Sequence, residues 1–173
     1  MSKLFLVSLV VLTVTFQSCG QSTFKNITYS YRAKIPTDWN LIGEITTDSV
    51  KNFSSVEWTL PKLISESSGN EIENSIEIYA YKNAGITNIE ELLAYEKQKW
   101  HTFLLDVDIT LLDSDNTWQI VNTSKVESFD HKSKIYLIFK NGICYRVQYV
   151  STPDTFDRNL AVFEKFFDAF EIK

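Results

Sequence analysis

The dipeptide Asn141-Gly142 constrains this chain more than any other pair of residues. It divides two runs rich in β-branched and aromatic side chains, residues 134–140 and 143–150. Both central positions of a type I′ turn need φ > 0, which Asn and Gly tolerate best. The spacing therefore predicts a two-residue hairpin that pairs Lys140 with Ile143, and opposed residues share a face. One face then carries Tyr136, Ile138, Ile143, Tyr145, Val147 and Tyr149. The other carries Ile135, Leu137, Phe139, Cys144 and Val150, interrupted by Arg146 and Gln148. A sheet with one wet face alternates cleanly between apolar and polar. This hairpin is apolar on both faces, which predicts a central pair covered on both sides.

A helix follows. Thr152 suits a helix cap and Pro153 a first turn, where no amide donor is needed. Phe156, Leu160, Phe163, Phe167 and Phe170 recur at spacings of four, three, four and three, one helical stripe widened by Phe166 and Ala169. Such a stripe is a core face far more often than a ligand pocket. Upstream, Thr87 and Glu90 have capping-box spacing, and Ile89, Leu92, Leu93 and Trp100 line one side of a second helix. Period-two or short apolar runs predict strands over 29–35, 41–45, 56–60, 76–81, 103–112, 118–121 and 125–129, with 62–75 as a polar, acidic loop. The expected fold is α+β: an α/β/α sandwich, with helices 88–101 and 153–169 on the two faces of a central antiparallel sheet.

At 173 residues and 44% hydrophobic, the chain suffices for one domain with a sizeable core, expected over 29–173. Residues 20–28 read as a short polar tether. With 17 Lys+Arg against 22 Asp+Glu and no basic stripe, nucleic acid is excluded as an expected partner. Residues 1–19 have a signal-peptide profile: Lys3, then an apolar run to Phe16 that is short for a bilayer span. The run ends in Ser18-Cys19-Gly20, which resembles the lipobox of bacterial lipoproteins, where a small residue precedes a Cys that is diacylated and becomes the mature N-terminus. Phe16 and Gln17 depart from that pattern. The alternative is an ordinary secretory signal with an incidental Cys. The resemblance implies lipidation at Cys19 and a membrane partner reached through the anchor. Gly20, where Asp would signal retention at the inner membrane, implies an outer-membrane address facing the periplasm or the cell surface.

Little else carries chemistry. Cys144, the remaining cysteine, lies mid-strand beside Phe139 and reads as a buried, hydrophobe-like thiol. His101 and His131 have no second His or Cys at ligand spacing, so no metal site is expected. Asp113-Ser114-Asp115-Asn116 begins like a calcium loop, but Trp118 stands where Gly is needed and Ser124 where Glu is needed. Glu66, Glu71, Glu73 and Glu77 read better as a solvated loop and strand edge than as a cation site. No Gly-rich phosphate loop or nucleophile elbow is present, and no cofactor or catalytic set is expected. Arg146, opposite Leu137 on a largely apolar face, has two readings: a stem packed on apolar neighbours with its head at the rim, or a cation that anchors an acidic ligand.

With these elements placed, the pattern resembles the PsbP-like family, which includes extrinsic photosystem II subunits, a nuclear-import factor that binds the Ran GTPase, and many bacterial lipoproteins. The likeness is carried by Tyr31 with Ile35-Pro36-Thr37-Asp38-Trp39, and by Thr87-Asn88-Ile89-Glu90-Glu91-Leu92. It continues through Tyr145-Arg146-Val147-Gln148-Tyr149, Phe163 and Phe170-Glu171-Ile172-Lys173. It implies an antiparallel sheet between helices and a binding role, with no shared catalytic residues. The expected function is a non-catalytic binding or accessory protein of the cell envelope with a protein partner. A carrier or sensor of a small apolar or acidic ligand, held in a cavity of the sheet, is the alternative.

Overall fold

A computed structural model describes residues 20–45, 52–100, 104–112, 116–126 and 129–173. Residues 1–19 with Cys19, His101 and the turn at 113–115 lie outside the described residues. The strands and helices run β1 Gln21–Asn26, β2 Tyr31–Pro36, β3 Asn40–Ile45, β4 Phe53–Thr59, β5 Leu63–Ile64, β6 Glu71–Ile72, β7 Ser75–Tyr81 and α1 Ile89–Lys99. They continue with β8 Leu104–Leu112, β9 Thr117–Val126, β10 Phe129–Lys140, β11 Ile143–Ser151, α2 Phe156–Asp168 and β12 Glu171–Ile172. Seven strands form one antiparallel sheet in the order β3-β4-β7-β11-β10-β9-β8, and β1-β2-β12 form a smaller antiparallel sheet.

The β10–β11 hairpin is central, as its two apolar faces require. Asn141 and Gly142 have φ of 55° and 73°, and Lys140 pairs with Ile143. Tyr136, Ile138, Ile143, Tyr145, Val147 and Tyr149 enter one core together with Phe156, Phe163 and Phe166 of α2. The small sheet closes that same core with Tyr31, Ala33 and Ile35, and the Tyr145 hydroxyl donates to the Tyr29 carbonyl at 2.7 Å. Ile135, Leu137 and Cys144 enter a second core with Ile89, Leu92 and Leu93 of α1. Neighbouring residues of one strand point to opposite faces, so the two cores draw on opposite faces of the hairpin. The cover on the α1 side is only partial: Arg146 and Gln148, the polar interruptions of that face, are half-buried.

Several expectations are corrected. Residues 20–28 are no tether: β1 pairs along its whole length with β2, from Gln21 opposite Pro36 to Asn26 opposite Tyr31. Phe24 packs edge-on to Trp58 at 5.3 Å, and the Asn26 side-chain amide donates to Ser54 Oγ at 2.8 Å. A chain starting at Gly20 should therefore unfold at a higher urea midpoint than one starting at Tyr29. Losing the Phe24 contact and the Asn26–Ser54 bond should cost roughly 2–4 kcal/mol. Equal midpoints would mean that β1 contributes nothing.

The helix starts also shift. Asn88, not Thr87, caps α1, accepting from the Glu91 amide at 2.9 Å, while the Glu91 carboxylate accepts from the Thr87 amide (2.6 Å) and hydroxyl (2.9 Å). Those bonds, the amide one foremost, hold the Glu91 carboxyl below its ordinary range. Thr152 and Pro153 sit in the turn before α2, which begins at Phe156 with Thr155 as cap residue. The 62–75 loop contains the β5–β6 hairpin and is tied to the turn before α2. Asp154 Oδ2 accepts from the Ser65 hydroxyl (2.6 Å) and the Ser67 hydroxyl (3.0 Å), and Arg158 donates to the Ile64 carbonyl (2.7 Å). Hydrogen bonds, chiefly from Ser65 and then Thr152, hold the Asp154 carboxyl well below the usual carboxylate range. The two short strands expected at 118–121 and 125–129 belong instead to two long ones, β9 and β10, paired from Phe129 opposite Val126 to Ile138 opposite Thr117.

Candidate functional site

A trough lies where β8, β9 and β10 meet the last turn of α2 and the start of β12. Ile138, Thr117 and Leu112 are register partners across the three strands and form part of its floor. Tyr136 continues that floor, and Phe167, Phe170 and Ile172 make the wall. The volume is about 940 Å³, at the upper end of what small-molecule sites occupy. Phe167 stacks on Tyr136 with ring centroids 3.6 Å apart. Asn116, Lys140, Asp168 and Glu171 bring polar groups to the lining. Lys140 Nζ donates to the Ile172 carbonyl at 3.2 Å, and Glu171 is ion-paired with Arg32. The arrangement suits an apolar or aromatic body with a polar end at the mouth. The end of the aromatic stripe thus forms the edge of the core: Phe163 and Phe166 are buried, while Phe167 and Phe170 pack against them half-buried.

A smaller cleft of about 420 Å³ lies on the other face, beside α1, lined by Phe53, Tyr79, Tyr81, Tyr95 and Lys82 among others. The four rings form a file with centroid separations of 5.2, 5.3 and 6.0 Å, and Lys99 Nζ stands 4.1 Å from the Tyr95 centroid.

Arg146 lies next to this file and lines neither cavity. Its guanidinium meets Glu77 at 3.0 Å and Glu96 at 3.7 Å and covers the Tyr79 ring at 5.2 Å. The cation is therefore matched by two carboxylates of its own chain. The Arg146 side chain is half-buried on this half-covered face. The residue the sequence reading passed over is Glu96. It is 2% exposed and accepts from the Tyr81 hydroxyl and from Lys99 Nζ, both at 2.7 Å. Its signal was present: after Ile89, Leu92 and Leu93, an acid fills the next place on the apolar stripe of α1.

Burial pushes the Tyr81 phenol far above its ordinary value, and the neighbouring Glu96 carboxylate adds to the shift. Burial also pushes the Cys144 thiol up to about 11, which keeps it protonated and unreactive. The same cause lifts the Tyr145 phenol to about 12 and keeps it a donor to Tyr29. Among the described residues, no three His, Cys, Asp or Glu side chains gather closely enough to hold a metal ion. Among them, too, no helix is long and apolar enough to cross a membrane, which says nothing of β-barrels.

No protein-family model matches the chain, and no curated protein does. Solved structures do. A Pseudomonas aeruginosa protein of unknown function superposes with a TM-score of 0.60 at 12% identity, over 88% of this chain and 97% of that one. The cyanobacterial PsbP, CyanoP, of Synechocystis superposes with a TM-score of 0.55 at 10% identity, over 92% of this chain and 96% of its own. A Bacteroides thetaiotaomicron protein gives 0.53 at 13% identity, over 90% of this chain and 49% of that one. Identities this low speak to the fold alone: the chain has a PsbP-like, α+β fold, a mostly antiparallel sheet with two helices.

Proposed function

We propose that this chain is a lipid-anchored, non-catalytic binding protein of the bacterial cell envelope, built on an α/β/α sandwich. The observation that carries the binding role is the trough, which sets the half-buried rings of Phe167 and Phe170 beside a floor of Tyr136, Ile138 and Leu112. The PsbP-like fold and the Ser18-Cys19-Gly20 sequence at the end of an apolar run support the setting. The trough also favours the carrier reading, with a small apolar ligand as occupant, because its charged lining sets Asp168 and Glu171 against the single cation Lys140; the accessory reading puts a side chain of a protein partner there. Native mass spectrometry of protein purified from its host separates them, since a co-purified small molecule supports the first and a co-purified protein the second.

The anchor makes its own prediction. Cys19 carries a diacylglyceryl thioether, and each buried CH₂ contributes about 0.8 kcal/mol, so two or three acyl chains hold the body firmly. Labelled palmitate should enter the wild type, and Cys19→Ser should abolish its entry and leave an uncleaved precursor. Equal incorporation into both, or none into the wild type, would leave plain secretion.

A further inference from the structure

The geometry points to one fixed attitude on the membrane: an anchor at Cys19 holds the body by the end that carries Leu41 and Ile42, with both cavities facing the aqueous phase. This inference rests on the lipid-anchor reading above. It begins from the missing slack. The Thr37 amide donates to the Gly20 carbonyl at 3.1 Å, and β1 starts at Gln21. Cys19 is covalently joined to Gly20, with adjacent Cα atoms about 3.8 Å apart. A free tether over 20–28 would have reached roughly 30 Å and left the body free to tumble. Here the lipid-bearing residue is the immediate neighbour of a paired strand.

The strand directions say which end that is. Gln21 faces Pro36, and the chain passes from there through Thr37 and Trp39 into β3. β3 opens with Asn40 paired to Thr59, and Thr59 is paired in turn to Ser75. This end therefore collects the start of β1, the end of β2, the start of β3 and the end of β4. It carries Leu41 and Ile42, which are 54% and 56% exposed on an edge strand. The far end collects the Asn26–Tyr31 turn, the end of β7 and the Asn141-Gly142 turn. Both cavities open there, the trough beside Lys140 and Ile172 and the cleft beside Tyr81 and Lys82. The run from Lys132 to Lys140 in β10 separates the two ends by about 26 Å.

The occupant of the Leu41–Ile42 surface is thus a lipid headgroup layer, delivered by the anchor rather than by strong affinity of its own. The charge at this end sets its kind. Asp38, Glu71 and Glu73 are exposed there, with Lys62 paired to the two glutamates. Lys34 and Lys132 lie at this end too, so the charge is mixed and draws no strong attraction to anionic lipid, and a zwitterionic surface suffices. A ligand or partner would reach the cavities from the aqueous side, without passing through the bilayer.

The test compares two equally apolar sites. Ile27, in the far turn, is 92% exposed, so simple hydrophobicity favours it over Ile42. Full-length precursors carrying Ile42→Cys or Ile27→Cys are expressed in a host that processes lipoproteins, and the new thiol is labelled with a small fluorophore. Cys144 is fully buried and stays in place. The proteins are reconstituted in phosphatidylcholine–phosphatidylethanolamine vesicles containing a lipid-borne quencher, and intact mass reports acylation. The inference predicts acylated protein with quenching at the Ile42 site at least about threefold greater than at the Ile27 site, as expected for a group at the headgroup boundary. Leu41→Cys should behave as Ile42→Cys does and stands in if that variant does not fold. Acylated protein with equal quenching, or with Ile27 the more quenched, overturns the orientation and leaves the anchor intact. Protein without acyl mass overturns the anchor reading and the orientation with it.

Discussion

Replacing Glu96 with alanine should lower the stability of the domain by about 3 kcal/mol, near the lower limit for breaking a buried ion pair. The side chain is 3% exposed and is shared by Tyr81, Lys99 and Arg146, at 2.7, 2.7 and 3.7 Å. Its removal leaves the buried Tyr81 hydroxyl without that acceptor, and it leaves Arg146 facing Glu77. Lys99 and Arg146 are 40% and 26% exposed, so water recovers part of the loss, which is why the lower limit applies. The melting temperature should fall by roughly 6–12 °C at this chain length. Glu96→Gln keeps the shape and a hydrogen bond to Tyr81 and should cost about half as much. The change Gln98→Ala, one turn face away and exposed, should stay within about 0.5 kcal/mol. Urea unfolding of the three variants decides the matter. A loss in Glu96→Ala no larger than in Gln98→Ala would mean that the network does not hold α1 to the sheet.

Phe163→Ala should cost more, about 4 kcal/mol, because a large side chain leaves a cavity that its neighbours cannot fill. Phe163 is 0% exposed and lies between Tyr136 and Tyr149, with ring centroids 5.7 and 5.6 Å away. Tyr149 is fixed by its hydroxyl bond to the Phe156 carbonyl, and Tyr136 by its stack on Phe167, so neither ring is free to collapse inward. The neighbour Val162 is 37% exposed, and Val162→Ala should change little, within about 0.5 kcal/mol. Thermal unfolding should separate the two by roughly 8–16 °C. Similar midpoints would show that α2 does not anchor the larger core.

Some of this was legible in single residues. Asn141-Gly142 announced the hairpin and its register, and the alternation on both sides announced two cores. Arg146 and Gln148 marked, more finely than was read, the place where the cover of α1 stops. Other features were hidden by their chemistry. In β1, Phe24 is the one large apolar residue of Gln21-Ser22-Thr23-Phe24-Lys25-Asn26, too little for a period-two signal, and the strand forms because β2 offers a partner. Asn122, Thr123 and Ser124 read as a break between strands, yet the ladder to β10 runs through them and Asn122 is 6% exposed. The trough could not be read at all. It needs Leu112, Ile138 and Phe170 side by side, and only the strand order brings them together.

The binding role at the trough is the centre of the proposed function, and one comparison tests it most directly. Leu112 is half-buried in the trough lining, and Leu112→Trp would fill much of the space with a ring. Wild type and variant, purified in parallel from the natural host, are compared by native mass spectrometry, with melting measured on both. The proposal predicts that wild type carries a bound small molecule or partner. It also predicts that Leu112→Trp reduces the bound fraction at least tenfold, a loss of about 1.4 kcal/mol or more in binding, with a change in melting of less than about 4 °C. A wild type that emerges with nothing bound, or a folded Leu112→Trp variant that keeps its full load, would contradict it.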